Sequence, residues 1–156
     1  MTGKFELVLF ATNPAFIRQA VASGVDSIVV DWEYTGKEQR QASYDTQINH
    51  YTLDDLRGVR RCTEAKVICR INSYGATTAE EVGQAVEAGT DEILLPMVRT
   101  LEEVKTVLEQ VESRCGVGIL IETIAAVRLA GELGRLPLSR VYVGLNDLEI
   151  EIKTPN

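Results

Sequence analysis

Short runs of β-branched and aliphatic residues alternate with longer amphipathic segments along nearly the whole chain. The apolar runs have the length and residue types of buried strands, and the segments between them have the apolar spacing of helices. The predicted strands span residues 5–11, 25–31, 66–71, 92–96, 118–121 and 140–144. The predicted helices span residues 15–23, 52–63, 78–88, 100–113 and 123–133. This pattern predicts about six repeats of a βα unit.

Residue types at the predicted helix ends support this division. Asn13 and Pro14 have the order of an N-cap and a first helical residue, and Gly24 follows the first helix as a C-terminal cap. Three later helices begin with a threonine followed three residues later by an acid, as in a capping box: Thr52 with Asp55, Thr78 with Glu81, and Thr100 with Glu103. Residues 32–51 are polar and are predicted to form a long loop, and the turn after the sixth strand carries the pair Asn146-Asp147.

Strands that alternate with helices favour a parallel sheet covered by helices. Two architectures fit the pattern: a doubly wound open sheet, or part of a TIM barrel. A TIM barrel has eight strands and typically about 250 residues. We therefore predict a single α/β domain over residues 1–156, which is either an open sheet or a partial TIM barrel with about six of eight βα units that lacks the last two.

Charge and cysteine content indicate which classes of partner and which cellular compartment to expect. The net charge is -7 and no run of Lys or Arg offsets it, so nucleic acid and anionic membranes are not expected as partners. The three cysteines form no C-x-x-C pair, which disfavours a disulfide framework and favours a reducing compartment, the cytoplasm. The first apolar stretch is short and is interrupted by Glu6, and no run reaches transmembrane length.

Polar residues follow four of the predicted strands, at the end where the site of a parallel α/β fold lies. They are Asp31, Glu33, Arg70, Asn72, Glu122, Asn146 and Asp147. In a sheet or barrel these ends converge, which would place up to four carboxylates and one guanidinium around one concavity. Crowded carboxylates repel each other unless a cation lies among them, and oxygen ligands suit Mg²⁺ or Mn²⁺ better than zinc. Arg70 would be free to bind a carboxylate or a developing enolate.

Each of these residues also has a purely structural interpretation. Glu122 is placed where an acid stabilises the first turn of a helix, and Asp147 is placed in a turn. Arg70 could form a surface ion pair, and Asp31 and Glu33 could be solvated loop charges. Their common position at successive strand ends is what favours a site.

Other chemistries have less support. The one histidine, His50, lies in the polar loop, so a Ser-His-Asp or Cys-His site has little to build on. The first strand is not followed by G-x-G-x-x-G, and no Walker motif is present.

Five motifs of the chain resemble those of the HpcH/HpaI aldolase and citrate lyase beta-subunit family, in the family's order and spacing. They are VDWE at residues 30–33, RIN at 70–72, EILLPMV at 92–98, ILIET at 119–123 and VGLNDL at 143–148. The resemblance covers almost the whole chain and implies a TIM barrel of the phosphoenolpyruvate/pyruvate type. It is specific for the family and much less so for one reaction.

The resemblance also implies roles for the strand-end residues. A Mg²⁺ or Mn²⁺ ion would be held by Glu122 and Asp147, and Arg70 would stabilise an enolate oxygen, with Asp31 and Glu33 close by. The expected activity is that of a metal-dependent carbon–carbon lyase or aldolase. Its substrate would be a small 2-oxo acid or a carboxylated acyl-CoA thioester.

One departure from the family pattern affects the reaction. Pyruvate aldolases of the family usually carry a histidine where this chain has Tyr34, which favours a citrate-lyase-like activity. Two alternatives stay open. The chain could be an inactive fragment that forms homo-oligomers through unpaired sheet edges, or a non-catalytic α/β binding domain of the open-sheet type.

Overall fold

Six parallel strands form one sheet in the computed structural model, which describes residues 5–34 and 51–153. The strands are β1 (Val8–Phe10), β2 (Ser27–Asp31), β3 (Lys66–Arg70), β4 (Glu92–Leu95), β5 (Gly116–Ile121) and β6 (Arg140–Val143). Each strand pairs in parallel with the next one along the chain. A doubly wound sheet requires a reversal in the strand order, and this sheet has none. The sheet curls as an incomplete barrel, so the prediction of a partial TIM barrel is confirmed.

Helices follow the strands and cover one face of the sheet. They are α1 (Pro14–Ala22), α2 (Leu53–Cys62), α3 (Thr78–Glu87), α4 (Leu101–Gln110), α5 (Ile124–Arg128), α6 (Ala130–Leu133) and α7 (Leu145–Lys153). Among the helices of the described ranges, none combines the length with the apolar composition needed to cross a membrane.

The predicted caps of α1, α2 and α4 are confirmed. The Asn13 side chain accepts a hydrogen bond from the Phe16 N–H, and Gly24 beyond the helix end has φ +104°. Gly24 tolerates this left-handed conformation because it has no Cβ. Both reciprocal capping boxes are present, Thr52 with Asp55 and Thr100 with Glu103. Helix starts were therefore readable from local sequence at these positions.

The predicted capping box of α3 is wrong. The N-cap is Thr77, whose side chain makes no capping hydrogen bond, and the Thr78 hydroxyl instead accepts from the Gly75 N–H. The Glu81 carboxylate binds Asn72 at the end of β3. A tertiary contact has replaced the local one that the spacing suggested.

Two further predictions differ from the structure. The predicted helix 123–133 is two short helices, α5 and α6, with Leu129 between them at φ −91° and ψ 2°. Gly131, an unfavourable residue in a helix, lies at the start of the second one. Asp147 is not in a turn but in the first turn of α7, where an acid is favoured. Most of the predicted loop 32–51, with His50, lies outside the described residues.

The inner face of the curled sheet is layered. Alternation along each strand gives a middle layer of apolar side chains, a layer of charged groups at the amino ends of the strands and another at their carboxyl ends. The buried apolar layer consists of Val29, Ile68, Leu94 and Leu120. It lies between the two charged layers, and residues of all three layers line one cavity.

The charged layer at the amino ends is called here the amino-end ion cluster, and it comprises Glu6, Lys66, Glu92 and Arg140. Glu92 is fully buried and contacts Lys66 Nζ at 2.7 Å and Arg140 Nε at 2.8 Å. Arg140 Nη2 also contacts Glu6 Oε1 at 2.9 Å. Because Arg140 lies on β6 and Glu6 precedes β1, the cluster connects the two edges of the described sheet across its interior. A Cβ at Gly118 would come within 2.9 Å of the Glu92 carboxylate, so the cluster requires a residue without a side chain there.

Candidate active site

A cavity of about 660 Å³ opens inside the curled sheet, and its carboxyl-end wall carries three of the residues predicted from sequence. Arg70 is the last residue of β3, Glu122 follows β5, and Asp147 lies in the first turn of α7. The side chains of Asp31 and Glu33 form ion pairs with the Arg70 guanidinium. The structure thus brings all five predicted site residues to one end of the sheet.

The Arg70 guanidinium is held by two carboxylates. Its Nε and Nη2 donate to the two oxygens of Asp31 at 2.8 and 2.7 Å, and its Nη1 lies 3.2 Å from Glu33 Oε2. The cation also lies 5.2 Å from the centroid of the Phe10 ring. Two N–H donors of the guanidinium thus form hydrogen bonds with Asp31, Nη1 forms an ion pair with Glu33, and the side chain also lines the cavity. The expectation of a free guanidinium is corrected: Arg70 is fixed in place and partly available.

Burial and pairing explain the electrostatics of Arg70. Burial by itself lowers its pKa, but the hydrogen bond with Asp31 and the charges of Glu33, Asp31 and Glu122 outweigh this, and the pKa is raised overall. Asp31 is fully buried and Glu33 is 2% exposed. Arg70 therefore stays charged, and its bidentate pair with Asp31 gives the cation one orientation.

Glu122 is held by the neighbouring β4–α4 loop. Its side chain accepts a hydrogen bond from the Met97 N–H at 2.9 Å, and the Thr123 hydroxyl donates to the Val98 carbonyl oxygen. Met97 has φ +53°, a left-handed conformation that costs a residue with a Cβ about 1–2 kcal/mol. The strain is located where the backbone N–H points at a site carboxylate, as strain often is at functional sites.

A missing side chain makes room for Glu122. A Cβ at Gly144 would overlap the Glu122 carboxylate and come within 2.9 Å of its Cβ. Gly144 is the residue between β6 and α7, so the same position admits the carboxylate and turns the chain into the helix that carries Asp147.

The surroundings of Glu122 raise its pKa from the ordinary value of 4.5 to about 7. Burial is the largest cause, and the charges of Glu33 and Asp147 act in the same direction. The Met97 N–H and the Arg70 charge oppose the shift. The Glu122 side chain thus sits where a proton or a cation is favoured over a bare carboxylate.

This shift predicts a specific dependence of stability on pH. Between about pH 7 and pH 4.5 the folded protein holds a proton on Glu122 that the unfolded chain does not, so this group favours folding increasingly as the pH falls. Glu122→Gln removes the effect. In EDTA, we expect the stability of the variant minus that of the unmodified protein to be higher at pH 8 than at pH 5, by ~1–3 kcal/mol. Urea unfolding at both pH values measures this difference, and an equal difference at both would contradict a raised pKa.

The donor set fits a hard divalent cation. Mg²⁺ is usually bound by one or two carboxylates together with water and substrate oxygens rather than by an all-protein cage. Within residues 5–34 and 51–153, no three His, Cys, Asp or Glu residues are grouped closely enough to form such a cage. Glu122 and Asp147 on the same cavity, with the repulsion felt by Glu122, match the two-carboxylate kind of site.

Three residues of the site region were missed in the sequence. Met97 carries no local signal for a left-handed conformation, because methionine rarely adopts one. Gly144 could have been found, since a glycine directly after a strand and before a site residue often marks a close approach. Glu81 was predicted only as part of a helix cap. The signal for its second contact is that its helix directly follows the strand that ends at Arg70.

Comparisons with known proteins give the same fold. The family model described as HpcH/HpaI aldolase/citrate lyase matches residues 4–156. A solved HpcH/HpaI aldolase from Desulfitobacterium hafniense DCB-2 superposes with a TM-score of 0.71 at 16% identity, covering 95% of this chain and 65% of that one. The citrate synthase SbnG gives 0.71 at 20% identity, with 96% and 64% covered.

A mandelate oxidase is more distant, with a TM-score of 0.62 at 20% identity and coverage of 92% and 50%. No curated protein matches the chain. At such identities the likeness to solved structures concerns the fold. The chain spans less than two thirds of the length of the aldolase and the citrate synthase.

Proposed function

Because the chain belongs to the HpcH/HpaI aldolase/citrate lyase family, we propose that its cavity binds a small 2-oxo acid or a carboxylated acyl-CoA thioester and breaks or forms a carbon–carbon bond next to the carbonyl group. One observation carries the proposal. Arg70, whose side chain is 13% exposed and pairs with the buried carboxylates of Asp31 and Glu33, lines the same cavity at the carboxyl ends of the strands as Glu122 and Asp147.

The proposed cofactor is Mg²⁺ or Mn²⁺, held by Glu122 and Asp147. A divalent ion there would polarise the substrate carbonyl and offset the negative charge that develops on its oxygen. The Met97 N–H and the space at Gly144 keep the Glu122 carboxylate in its position on the cavity wall.

Arg70 has the second role. When the carbon–carbon bond breaks, its electron pair is taken up as an enolate, and a fixed cation beside the enolate oxygen lowers the energy of that charge. Two carboxylates already hold the guanidinium, so it does not have to reorganise when the charge appears. The apolar layer of Val29, Ile68, Leu94 and Leu120 lines the same cavity, and apolar surroundings strengthen these interactions.

Exchange of the methyl hydrogens of pyruvate tests the proposal. Enolisation of this simplest 2-oxo acid in D₂O replaces those hydrogens with deuterium, which proton NMR follows directly. We expect exchange that requires protein together with Mg²⁺ or Mn²⁺, and a fall of at least about 100-fold in its rate with Arg70→Met, because electrostatic stabilisers of oxyanions contribute on this scale. Arg128→Met, on α5 and outside the cavity lining, is the matched control.

A folded, metal-loaded protein that causes no exchange above the buffer rate, and that binds neither pyruvate nor an acyl-CoA thioester, would contradict the proposed function. Exchange that is equal with and without the divalent ion would contradict the metal-dependent part alone.

We also propose that the protein forms homo-oligomers through its sheet edges. On β6, an edge strand of the sheet formed by the described residues, Val141, Tyr142 and Val143 are exposed by 53%, 52% and 54% within those residues. Open edges of this kind pair with other chains. Light scattering coupled to size exclusion at micromolar concentration should give at least a dimer, and a monomer at all concentrations would contradict this proposal.

A further inference from the structure

We propose that Asn72 and Glu81 are positioning residues for Arg70, acting through the backbone that carries Glu33. The inference deepens the proposed function and rests on it, since Arg70 is the residue expected to meet the charge on the substrate. Neither Asn72 nor Glu81 lines the cavity. They act by determining where the buried carboxylate behind the guanidinium is held.

Glu81 fixes Asn72 at two points. One oxygen of its carboxylate accepts the Asn72 backbone N–H at 2.9 Å, and the other accepts the Asn72 side-chain amide at 3.0 Å. Thr77 donates a further hydrogen bond to the same carboxylate at 2.8 Å. Asn72 is 4% exposed and lies two residues beyond Arg70. The first turns of α3 are thus tied to the end of β3.

Asn72 then holds the chain beyond β2. Its side-chain oxygen accepts the Tyr34 N–H at 3.1 Å. On the other side of Glu33, the Trp32 N–H donates to the Arg70 carbonyl oxygen at 2.7 Å. Glu33 therefore lies between two hydrogen-bonded N–H groups, one bound to the Arg70 backbone and one to the Asn72 side chain. Its own N–H donates to Asp31 Oδ1 at 3.0 Å.

This arrangement matters because β2 ends at Asp31. Glu33 lies past the last residue of the strand, so its position depends on the contact of Tyr34 with Asn72 as well as on the bond from Trp32 to Arg70. Its carboxylate is 3.2 Å from Arg70 Nη1 and is buried. If the backbone of Glu33 shifts, one of the carboxylates that orient the guanidinium shifts with it.

The carboxylate of Glu81 determines which way the Asn72 side-chain amide is oriented. A carboxylate only accepts, so it draws the NH₂ group of the Asn72 amide and leaves the amide oxygen for Tyr34. A glutamine at position 81 has one accepting oxygen and one donating group. It cannot accept from Asn72 at both points as Glu81 does.

Two variants and a matched control test the inference in the full chain. Glu81→Gln changes the hydrogen bonds that orient the Asn72 amide, and Asn72→Ala removes this amide. Glu80→Gln, the control, changes the neighbouring exposed glutamate of the same helix turn. The first measurement is the ¹H–¹⁵N NMR signal of the Arg70 Nε–H, assigned with Arg70→Lys. The second is calorimetry of Mg²⁺ alone and of pyruvate in saturating Mg²⁺.

We expect the Arg70 Nε–H signal to move or broaden in Glu81→Gln and Asn72→Ala but not in Glu80→Gln. Pyruvate affinity should fall about 10-fold or more in the same two variants. Substitution of residues that orient the ligands of a metal ion has effects on this scale. Mg²⁺ affinity should be unchanged, because Glu122 and Asp147 are untouched. This split separates positioning of Arg70 from a general loss of structure, which would lower both affinities.

An unchanged Arg70 signal in both variants overturns the inference, as does a pyruvate affinity equal to that of the unmodified protein. If Asn72→Ala does not fold, Glu81→Gln decides. If the unmodified protein binds no pyruvate with Mg²⁺, the 2-oxo acid part of the proposed function is contradicted, and the Arg70 signal still decides whether Asn72 and Glu81 position this residue.

Discussion

Replacing Glu122 with glutamine is expected to lower the affinity for Mg²⁺ by at least about 100-fold. Even partners that only orient a metal ligand change affinity by about 10–100-fold, and Glu122 is proposed to be a ligand itself. The glutamine keeps the shape of the side chain and can still accept from the Met97 N–H, so the main change is the lost negative charge. Isothermal titration with Mg²⁺ and with Mn²⁺ measures the effect.

Two further variants define what the result means. Asp147→Asn should act in the same direction, because both carboxylates line the same cavity. Glu132→Gln, an exposed glutamate on α6, should leave affinity unchanged. If Glu122→Gln and Glu132→Gln bound Mg²⁺ alike, Glu122 would not be a metal ligand, and the proposed site would have to be abandoned.

Replacing Glu92 with glutamine is expected to lower the free energy of unfolding by about 3 kcal/mol, because it leaves Arg140 and Lys66 without their buried anion. The side chains of Arg140 and Lys66 are 17% and 37% exposed, so water can reach both in part, and we place the effect at the low end for a broken buried pair. The expected fall in Tm is about 6–12 °C. Thermal unfolding and urea titration both measure it.

The control for Glu92 is a surface pair of the same chemistry. Glu102→Gln breaks the contact of Glu102 with Lys105, which is 47% exposed, and should change stability by less than about 1 kcal/mol. Equal effects of Glu92→Gln and Glu102→Gln would show that the amino-end ion cluster does not hold the curled sheet together.

The two substitutions should also be separable. The apolar layer lies between the amino-end ion cluster and the carboxyl-end site, so Glu92→Gln should leave Mg²⁺ affinity unchanged while it lowers stability. Glu122→Gln should lower Mg²⁺ affinity. It should also raise stability near pH 8 without metal, where a charged, buried carboxylate is itself unfavourable. Stability and metal affinity are thus assigned to opposite ends of one cavity.

Local signals explain why much of the fold was predictable. Apolar runs with turn residues between them locate the strands, and side-chain caps such as that of Thr100 locate helix starts, because both depend on residues close in sequence. The same limit explains the error at Glu81. Its spacing to Thr78 fits a capping box, but a partner 9 residues away, Asn72, takes its carboxylate.

The sequence by itself determined the alternation of strands and helices, the family and the strand ends at which Asp31, Arg70 and Glu122 stand. Those features follow from periodicity and from residue order, which are properties of the chain alone. Only the tertiary structure decided that the sheet curls without a switch in strand order, that Arg70 is held by two carboxylates, and that Met97 is strained toward Glu122. Each of these depends on distances between residues far apart along the chain, and such distances become fixed when the strands pair and the interior excludes water.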